Sequence, residues 1–489
     1  MSGSAHRRGR GRPGQGVGPR RNATPTQARL LAVRVLERVE RAGAYADLAL
    51  HAALGRSALS VQDRAFVTEL VYGTLRWRGH LDYLLGFALE RDFDKLEPLV
   101  ATLLRLGAYQ LVVEDRVPVS AAVDQSVRCA RALGADRSAG LVNAVLRRLA
   151  REASTLPLPG LEEDPLGHLT HALSLPGWIA QRWLERMGPR EAARLASACN
   201  VRPPITLRTN PQRSDRETLL AELHERHSEV APCVHAPLGI QLGRAGNPGQ
   251  DPAFVAGRFT VQDEASQLVV ALLDPQPGER ILDLCAAPGT KTGALAERVG
   301  PSGEVVALDR NRRRLSLVAR SCARLGLENV HCLGADASQP LPQAATGPFD
   351  RVLVDVPCSG LGTLRRNPDA RWRLRPEDPA RLARTQGALL ARAATALRPG
   401  GTLVYSTCTL APEENEAVTE AFLSRSEGAF APALLAELPG PVRPFLDPTP
   451  VIPEQAGAGP MRTWQTSSSD DEAGVSMDGF FAQRMEKRS

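Results

Sequence analysis

ERILDLCAAPGTKTG, residues 279–293, is the stretch on which the fold reading turns. An apolar run through Leu284 ends in Cys285-Ala286-Ala287-Pro288-Gly289-Thr290-Lys291, after which the pattern becomes helical. A strand that passes through a loop of small residues into a helix opens a parallel α/β unit. Downstream, EVVALD (304–309), VHCLGAD (330–336), DRVLVDV (350–356) and GTLVYSTC (401–408) are further apolar, strand-like runs. Helical stretches such as NRRRLSLVARSCARLGL (311–327) and PARLARTQGALLARAATAL (379–397) separate them. This alternation predicts a doubly wound, mostly parallel α/β sheet over residues 256–489, with ligands bound at the carboxyl ends of its strands.

The loop after the first strand suits an anionic ligand. Small side chains at Ala286, Ala287 and Gly289 let the backbone approach closely, and the following helix offers free N–H groups. The carboxylate of S-adenosylmethionine would fit there. A Walker A loop is excluded because Thr290 separates Gly289 from Lys291, and Gly-x-Gly-x-x-Gly is absent. Asp309, Asp336 and Asp355 end successive strands. A lone acid in that position commonly caps a helix, but three around a small-residue loop favour a nucleoside site. Asp309 is placed for the ribose hydroxyls and Asp336 for the adenine amino group.

Two thiols share the same predicted sheet edge. Cys358 follows Asp355-Val356-Pro357, and Cys408 closes Ser406-Thr407-Cys408 on the next strand. Either cysteine alone would read as packing, but the pair beside a methyl-donor loop suggests chemistry. Methylating carbon 5 of cytosine requires a thiolate to add at carbon 6, and a second group to assist loss of the carbon 5 proton and release of the enzyme. Asp355 could hydrogen-bond or protonate the ring nitrogen. Nothing in the pattern shows what would lower the nucleophile's pKa.

At 489 residues, with 43% hydrophobic and 23% charged positions, the chain should form two or three globular domains. The eight cysteines, at 129, 199, 233, 285, 322, 332, 358 and 408, contain no Cys-x-x-Cys pair, which argues against a disulfide framework or a metal site. No run approaches the roughly eighteen apolar residues of a membrane span, and no secretory signal is recognisable, so a cytoplasmic protein is expected. The net charge is +6, from 60 basic and 54 acidic residues, and the first 21 residues alone carry six arginines and no acid. Residues 1–22 read as a disordered basic arm, either contacting RNA or merely solubilising.

Order is expected from Thr24-Pro25-Thr26-Gln27, with Thr24 capping a helix, Pro25 in its first position and Gln27 completing a capping box. Helical patterns continue through 63–85, 99–112, 119–133 and 137–150, giving an all-α domain over 23–153. STLPLPGLEEDPLG (154–167) is a linker. The segment 160–255 shows two short helices, at 175–188 and 190–200, and an extended start at 203–211, and is expected to link the domains and contact RNA.

DLCAAPGTKT, DVPCSGLGTLRRNPD, YSTCTLAPEENE, the terminal DGFFAQRMEK and the upstream VQDEASQLV together resemble the RNA 5-methylcytosine methyltransferases of the RsmB/Nop2 (Sun) family. LVYGTLRWR, LRLGAYQL and GLVNAVLRRL resemble the NusB-like RNA-binding domain of that family's ribosomal RNA enzymes. The resemblance spans residues 25–489. It implies a Rossmann-like methyltransferase domain, with S-adenosylmethionine held by residues 285–291, Asp309, Asp336 and Asp355 and no metal. It makes Cys408 the nucleophile and Cys358 the release residue, the reverse of what the Pro-Cys motif of DNA cytosine methyltransferases would suggest. The family's usual loop is CAAPGGK, so Thr290 is a departure that costs backbone freedom. The implied substrate is one cytosine of small-subunit (16S) ribosomal RNA, flipped or unpaired, acted on by a monomer, with Arg365, Arg366, Arg371 and Arg373 lining the RNA path. The alternatives are the same chemistry on transfer or large-subunit RNA, or a non-catalytic NusB-like assembly factor.

Overall fold

The computed structural model describes residues 25–90, 92–114, 116–243, 246–447, 458–463 and 477–488. The basic arm 1–22 and the Thr24 cap lie outside these residues. Seven helices form the N-terminal unit: α1 (Gln27–Ala42), α2 (Ala46–Gly55), α3 (Val61–Arg76), α4 (Arg78–Ala88), α5 (Pro98–Val112), α6 (Val119–Ala132) and α7 (Ala139–Glu152). Every residue of α5 from Leu99 to Gln110 is buried, which makes it the central helix. Leu36, Leu70, Leu85, Leu103 and Leu146 close the core around it. Truncating one of these leucines to alanine would cost about 2–5 kcal/mol. The all-α expectation agrees with this architecture.

The start of α1 differs from the capping reading. The helix begins at Gln27, Pro25 lies outside it, and Thr26 flanks it without capping through its side chain. The Thr26 hydroxyl instead accepts from Arg29 Nη1 (3.3 Å), and its backbone N–H donates to Gln125 on α6 (2.8 Å). A side-chain contact within the first turn and a tertiary contact to α6 stand in place of the local cap.

The middle segment runs through a single turn, α8 (Pro165–Gly167), and α9 (Gly177–Ala198), which is broken at Gly188 (φ 78°) before Pro189. That break accounts for the two helices read from the sequence. Four short strands follow, β1 (Ile205–Thr209), β2 (Val230–Pro232), β3 (Gly239–Leu242) and β4 (Phe259–Val261), interrupted by α10 (Arg216–His224) and α11 (Pro252–Val255). They form an antiparallel sheet in the order β2-β3-β1-β4.

The C-terminal unit contains α12 (Glu264–Leu273), β5 (Arg280–Leu284), α13 (Thr290–Val299), β6 (Glu304–Asp309), α14 (Arg312–Leu325), β7 (Val330–Gly334), β8 (Phe349–Asp355), α15 (Ala370–Arg373), α16 (Asp378–Ala396), β9 (Leu397–Thr407), α17 (Glu416–Arg425), β10 (Phe430–Pro432), β11 (Met461–Arg462) and β12 (Phe481–Lys487). The sheet order is β10-β12-β9-β8-β5-β6-β7. β7, β6, β5, β8 and β9 are mutually parallel, whereas β12 runs antiparallel to β9. The chain steps outward from β5 through β6 to β7, then returns to β8 on the other side of β5. That reversal opens a crevice at the strand ends, where such sheets bind ligands. The doubly wound, mostly parallel reading agrees, and the added antiparallel strand β12 comes from the terminal DGFFAQRMEK motif.

Of the four arginines assigned to an RNA path, Arg365 and Arg371 are buried, which corrects that expectation for them, whereas Arg366 and Arg373 are partly exposed and paired within the chain. Arg371 is fully buried and donates to the carbonyls of Arg76 (3.3 Å), Ser174 (3.1 Å), Cys199 (3.2 Å) and Leu364 (3.5 Å) and to Asn200 Oδ1 (3.1 Å). Arg365 is buried, and its carbonyl accepts from Arg76 on α3 (3.0 Å). Arg366 bridges Asp263 (2.6 Å) and Asp478 (2.9 Å). Arg373 pairs with Asp369 (2.5 Å) and covers the Tyr45 ring. Guanidinium groups with several fixed donors suit the satisfaction of carbonyls at a junction between units, and that is where these residues act.

Candidate active site

Asp283 is the last residue but one of β5, and the loop that follows the strand is sharply bent. Cys285 (φ 70°) and Gly289 (φ 101°) both adopt left-handed backbone. A Cβ on Gly289 would lie 2.9 Å from the Val318 Cα, so its glycine is required by conformation and by space. Thr290 is already the first residue of α13, so the position taken by a second glycine in the usual loop needs no glycine freedom here. Asp309 Oδ2 accepts from the Ala287 N–H (3.2 Å) and Oδ1 from the Asn311 N–H (2.7 Å), fastening the loop to the tip of β6. Arg314 closes the other side by donating to the Ala287 carbonyl (2.7 Å). Pro288 is the exposed residue of the loop.

Asp336, beyond edge strand β7, is exposed and accepts from the Ser338 hydroxyl (2.7 Å) and N–H (2.9 Å), which hold its carboxyl below the usual range. Its contacts within the chain are those of a local cap.

Sequence reasoning missed Asp283. It is buried, Oδ2 accepts from the Thr292 hydroxyl (2.6 Å), and Oδ1 has no hydrogen-bond partner. Burial pushes its carboxyl up to about 7. An acid inside an apolar strand was the available signal, since a buried unsatisfied oxygen is costly unless a ligand answers it. The set comprises an orphaned carboxylate oxygen, the tethered Asp309 and the free N–H groups at the start of α13. It matches the ammonium, ribose and carboxylate of S-adenosylmethionine.

The two cysteines meet as adjacent-strand placement requires. β8 and β9 pair in register Asp355 to Ser406, and the Cys358 and Cys408 sulfurs lie 3.2 Å apart. The Cys408 N–H also points at Cys358 Sγ (3.3 Å). Their hydrogen bond, followed by burial, raises the Cys358 pKa well above that of an ordinary thiol. Asp355 Oδ2 accepts from Lys291 Nζ (2.7 Å), and Oδ1 from the Ser406 hydroxyl (2.8 Å). Burial alone would lower the Lys291 pKa, but Asp355, Cys408 and Asp283 together outweigh it. Lys291 therefore joins the cofactor loop to the cysteines and places a positive charge within Coulombic reach of Cys408. Its ammonium also lies 5.1 Å from the Phe480 ring, at the entry to β12.

A second residue missed in the sequence stands behind the cysteines. Glu414 is fully buried and accepts from the Ser359 N–H (2.9 Å), the Ser359 hydroxyl and Gln386 Nε2 (2.8 Å). The Ser359 hydroxyl also meets the Thr409 hydroxyl (2.6 Å), so the residues following Cys358 and Cys408 share one network. On the other flank, Gly362 donates to the Cys408 carbonyl (3.0 Å), and Gly479 donates to the Gly362 carbonyl (2.8 Å). A Cβ on Gly362 would lie 1.9 Å from the Gly479 oxygen, so the β12 motif is locked against the cysteine loops by two bare backbones.

Comparisons with known proteins agree with this architecture. Residues 270–436 match the family described as 16S rRNA methyltransferase RsmB/F, residues 26–151 the NusB family, and residues 175–247 the ferredoxin-like domain of RsmF/B-like methyltransferases. The chain is 41% identical, over 82% of its length and 90% of the relative's, to a probable ribosomal RNA small subunit methyltransferase B of Synechocystis sp.. It is 37% identical to the probable protein of that name in Bacillus subtilis, over 86% of this chain and 94% of that one. The ribosomal RNA small subunit methyltransferase B of Pseudomonas putida is also 37% identical, over 82% and 90%. Among solved structures, PH0851 superposes with a TM-score of 0.77 at 26% identity, covering 94% of this chain and 99% of its own. A methyltransferase homolog from Pyrococcus horikoshii gives 0.53 at 27%, over 66% and 99%.

Proposed function

The chain belongs to the RsmB/F family of 16S rRNA methyltransferases, and from that premise we propose that it methylates carbon 5 of one cytosine in small-subunit ribosomal RNA. Cys408 is the nucleophile, Cys358 the release residue, and S-adenosylmethionine the donor. The observation that carries this reading is the 3.2 Å approach of the two sulfurs beside the Lys291–Asp355 pair.

In this reading the Cys408 thiolate bonds to carbon 6 of the cytosine, and the electrons of the 5,6 double bond move to carbon 5. Lys291 stabilises the thiolate before attack, and Asp355 retains lone pairs with which to accept from the base edge. S-adenosylmethionine would supply an electrophilic methyl group, whose bond to the sulfonium sulfur breaks, leaving its electron pair on sulfur, as carbon 5 takes the methyl. The carbon 5 proton then passes to water, the double bond re-forms, and the bond from Cys408 to carbon 6 breaks. Cys358 donates its thiol hydrogen bond to the departing Cys408 sulfur, which lowers the barrier to release. Asp283, Asp309, Asp336 and the loop Cys285–Lys291 hold the donor. The chemistry calls for no metal ion.

The NusB-like unit and the segment 160–255 contact the RNA, and the enzyme acts as a cytoplasmic monomer. Deleting the gene is expected to remove one 5-methylcytosine from small-subunit RNA, read by bisulfite sequencing. Small-subunit marks unchanged, with one lost from transfer or large-subunit RNA instead, would move the chemistry to that substrate. No mark lost anywhere would favour the non-catalytic reading.

A further inference from the structure

The two cysteines are near neighbours with opposite electrical surroundings. Lys291 stands within Coulombic reach of Cys408 on one side. On the other, Glu414 lies within Coulombic reach of Cys358 and raises the pH at which that thiol ionises, after the larger effects of the Cys408 hydrogen bond, burial and the Cys408 charge. The hydrogen-bond partners of the Glu414 carboxyl are all neutral: the Ser359 N–H and hydroxyl, the Gln386 amide and the Thr409 hydroxyl. Burial raises its pKa, while these donors favour its charged form. A buried carboxylate answered by neutral donors alone is an expensive way to stitch two loops together, because an apolar pair could pack there at less cost.

We propose that Glu414 is a positioning residue that holds Cys358 against Cys408 and keeps it a thiol, so that the pair presents one attacking sulfur and one proton donor. The clamp acts through Ser359, next to Cys358, and reaches Thr409, next to Cys408, through the Ser359 hydroxyl. Gln386 completes it by donating both to Glu414 and to the Pro357 carbonyl (2.9 Å), the residue on the other side of Cys358. The other titratable groups facing Cys358 are Cys408 and Tyr405. Burial and the neighbouring Cys358 push the titration of Tyr405 up, and its hydroxyl is spent on the Glu414 carbonyl (2.5 Å). Asp355 faces Lys291 and Ser406 instead. Beyond the Cys408 sulfur itself, Glu414 is therefore the anion that acts on Cys358. The inference rests on the reading of Cys408 as nucleophile and adds the physical cause that divides the two roles.

The test is alkylation of the full-length protein by iodoacetamide between pH 6 and 9, with the rate at each cysteine read by peptide mass spectrometry. In the wild type, Cys408 is expected to react ahead of Cys358 at pH 7.5. Glu414→Gln preserves the shape and removes the charge. It is expected to shift the Cys358 midpoint down by about one unit and speed its alkylation at pH 7.5 by roughly tenfold. Ser359→Ala keeps the charge and the backbone N–H bond to Glu414 while removing the hydroxyl arm of the clamp, and should leave the Cys358 midpoint near that of the wild type. An unchanged Cys358 profile in a folded Glu414→Gln protein, or the same downward shift in Ser359→Ala, would overturn the proposal. If Glu414→Gln does not fold, the wild type decides, because Cys358 reacting as fast as Cys408 contradicts it. Failure of the underlying nucleophile reading appears elsewhere, as the absence of any Cys408-linked RNA adduct.

Discussion

Lys291 Nζ lies 2.7 Å from Asp355 Oδ2, an ion pair that joins the first turn of the cofactor helix to the strand tip preceding Cys358. The chain has three lysines among its 60 basic residues, and one of them occupies this buried position. A compact ammonium fits where a planar, forked guanidinium would have to displace Asp355 or the Phe480 ring. Lys291→Met is predicted to lower methyl transfer to RNA by on the order of 10²-fold. Lys291→Arg should recover little of that loss. Incorporation of labelled methyl groups measures both, and a methionine variant within about threefold of wild type would remove Lys291 from the chemistry.

Arg208 on β1 makes a different connection, from the antiparallel sheet of the middle segment to the cofactor helix. Its guanidinium pairs with Glu297 (2.7 Å) and donates to the Thr290 carbonyl (2.8 Å), with both side chains of the pair buried. Arg208→Met strands a buried carboxylate and is predicted to cost about 3–5 kcal/mol of stability, whereas Arg208→Met with Glu297→Met should recover most of it. Thermal unfolding of the two variants decides. A double variant no more stable than the single one would show that the pair contributes more than mutual neutralisation.

Asp283 makes stability depend on pH in a direction that can be stated. Its carboxyl titrates near 7 in the folded chain against an ordinary value of 3.8, so the native state holds the proton more tightly. The stability this confers is present below about pH 4 and is lost as the pH rises through 7. Asp283→Asn mimics the protonated form. It should match the wild type near pH 4 and exceed it at pH 8 in the absence of donor, by up to a few kcal/mol. Adding S-adenosylmethionine should then stabilise the wild type more at pH 8 than at pH 5. Unfolding curves for the two proteins that run parallel across this range would contradict the assignment.

Much of the architecture was legible because its signals are local. The parallel strands read from uninterrupted apolar runs, and both cysteines read from their places at the strand ends. The four-stranded sheet of the middle segment was not legible, since strands such as Val230–Pro232 and Phe259–Val261 are too short to show a period. Arg371 was misread for a related reason. An arginine in a basic stretch looks solvated until its carbonyl partners are known, and Arg76, Ser174 and Cys199 lie 172 to 295 residues away along the chain. Glu414 stood within a recognised motif, yet its role depends on Ser359, 55 residues earlier. Long-range hydrogen bonds leave no periodic trace in a sequence.

The roles of the two cysteines are separated most directly by denaturing gel analysis of protein incubated with small-subunit RNA and S-adenosylmethionine. Cys358→Ala is predicted to accumulate a covalent protein–RNA adduct that survives denaturation, because attack proceeds and release is impaired. Cys408→Ala should form none. An adduct from Cys408→Ala and none from Cys358→Ala would reverse the assignment and contradict the account.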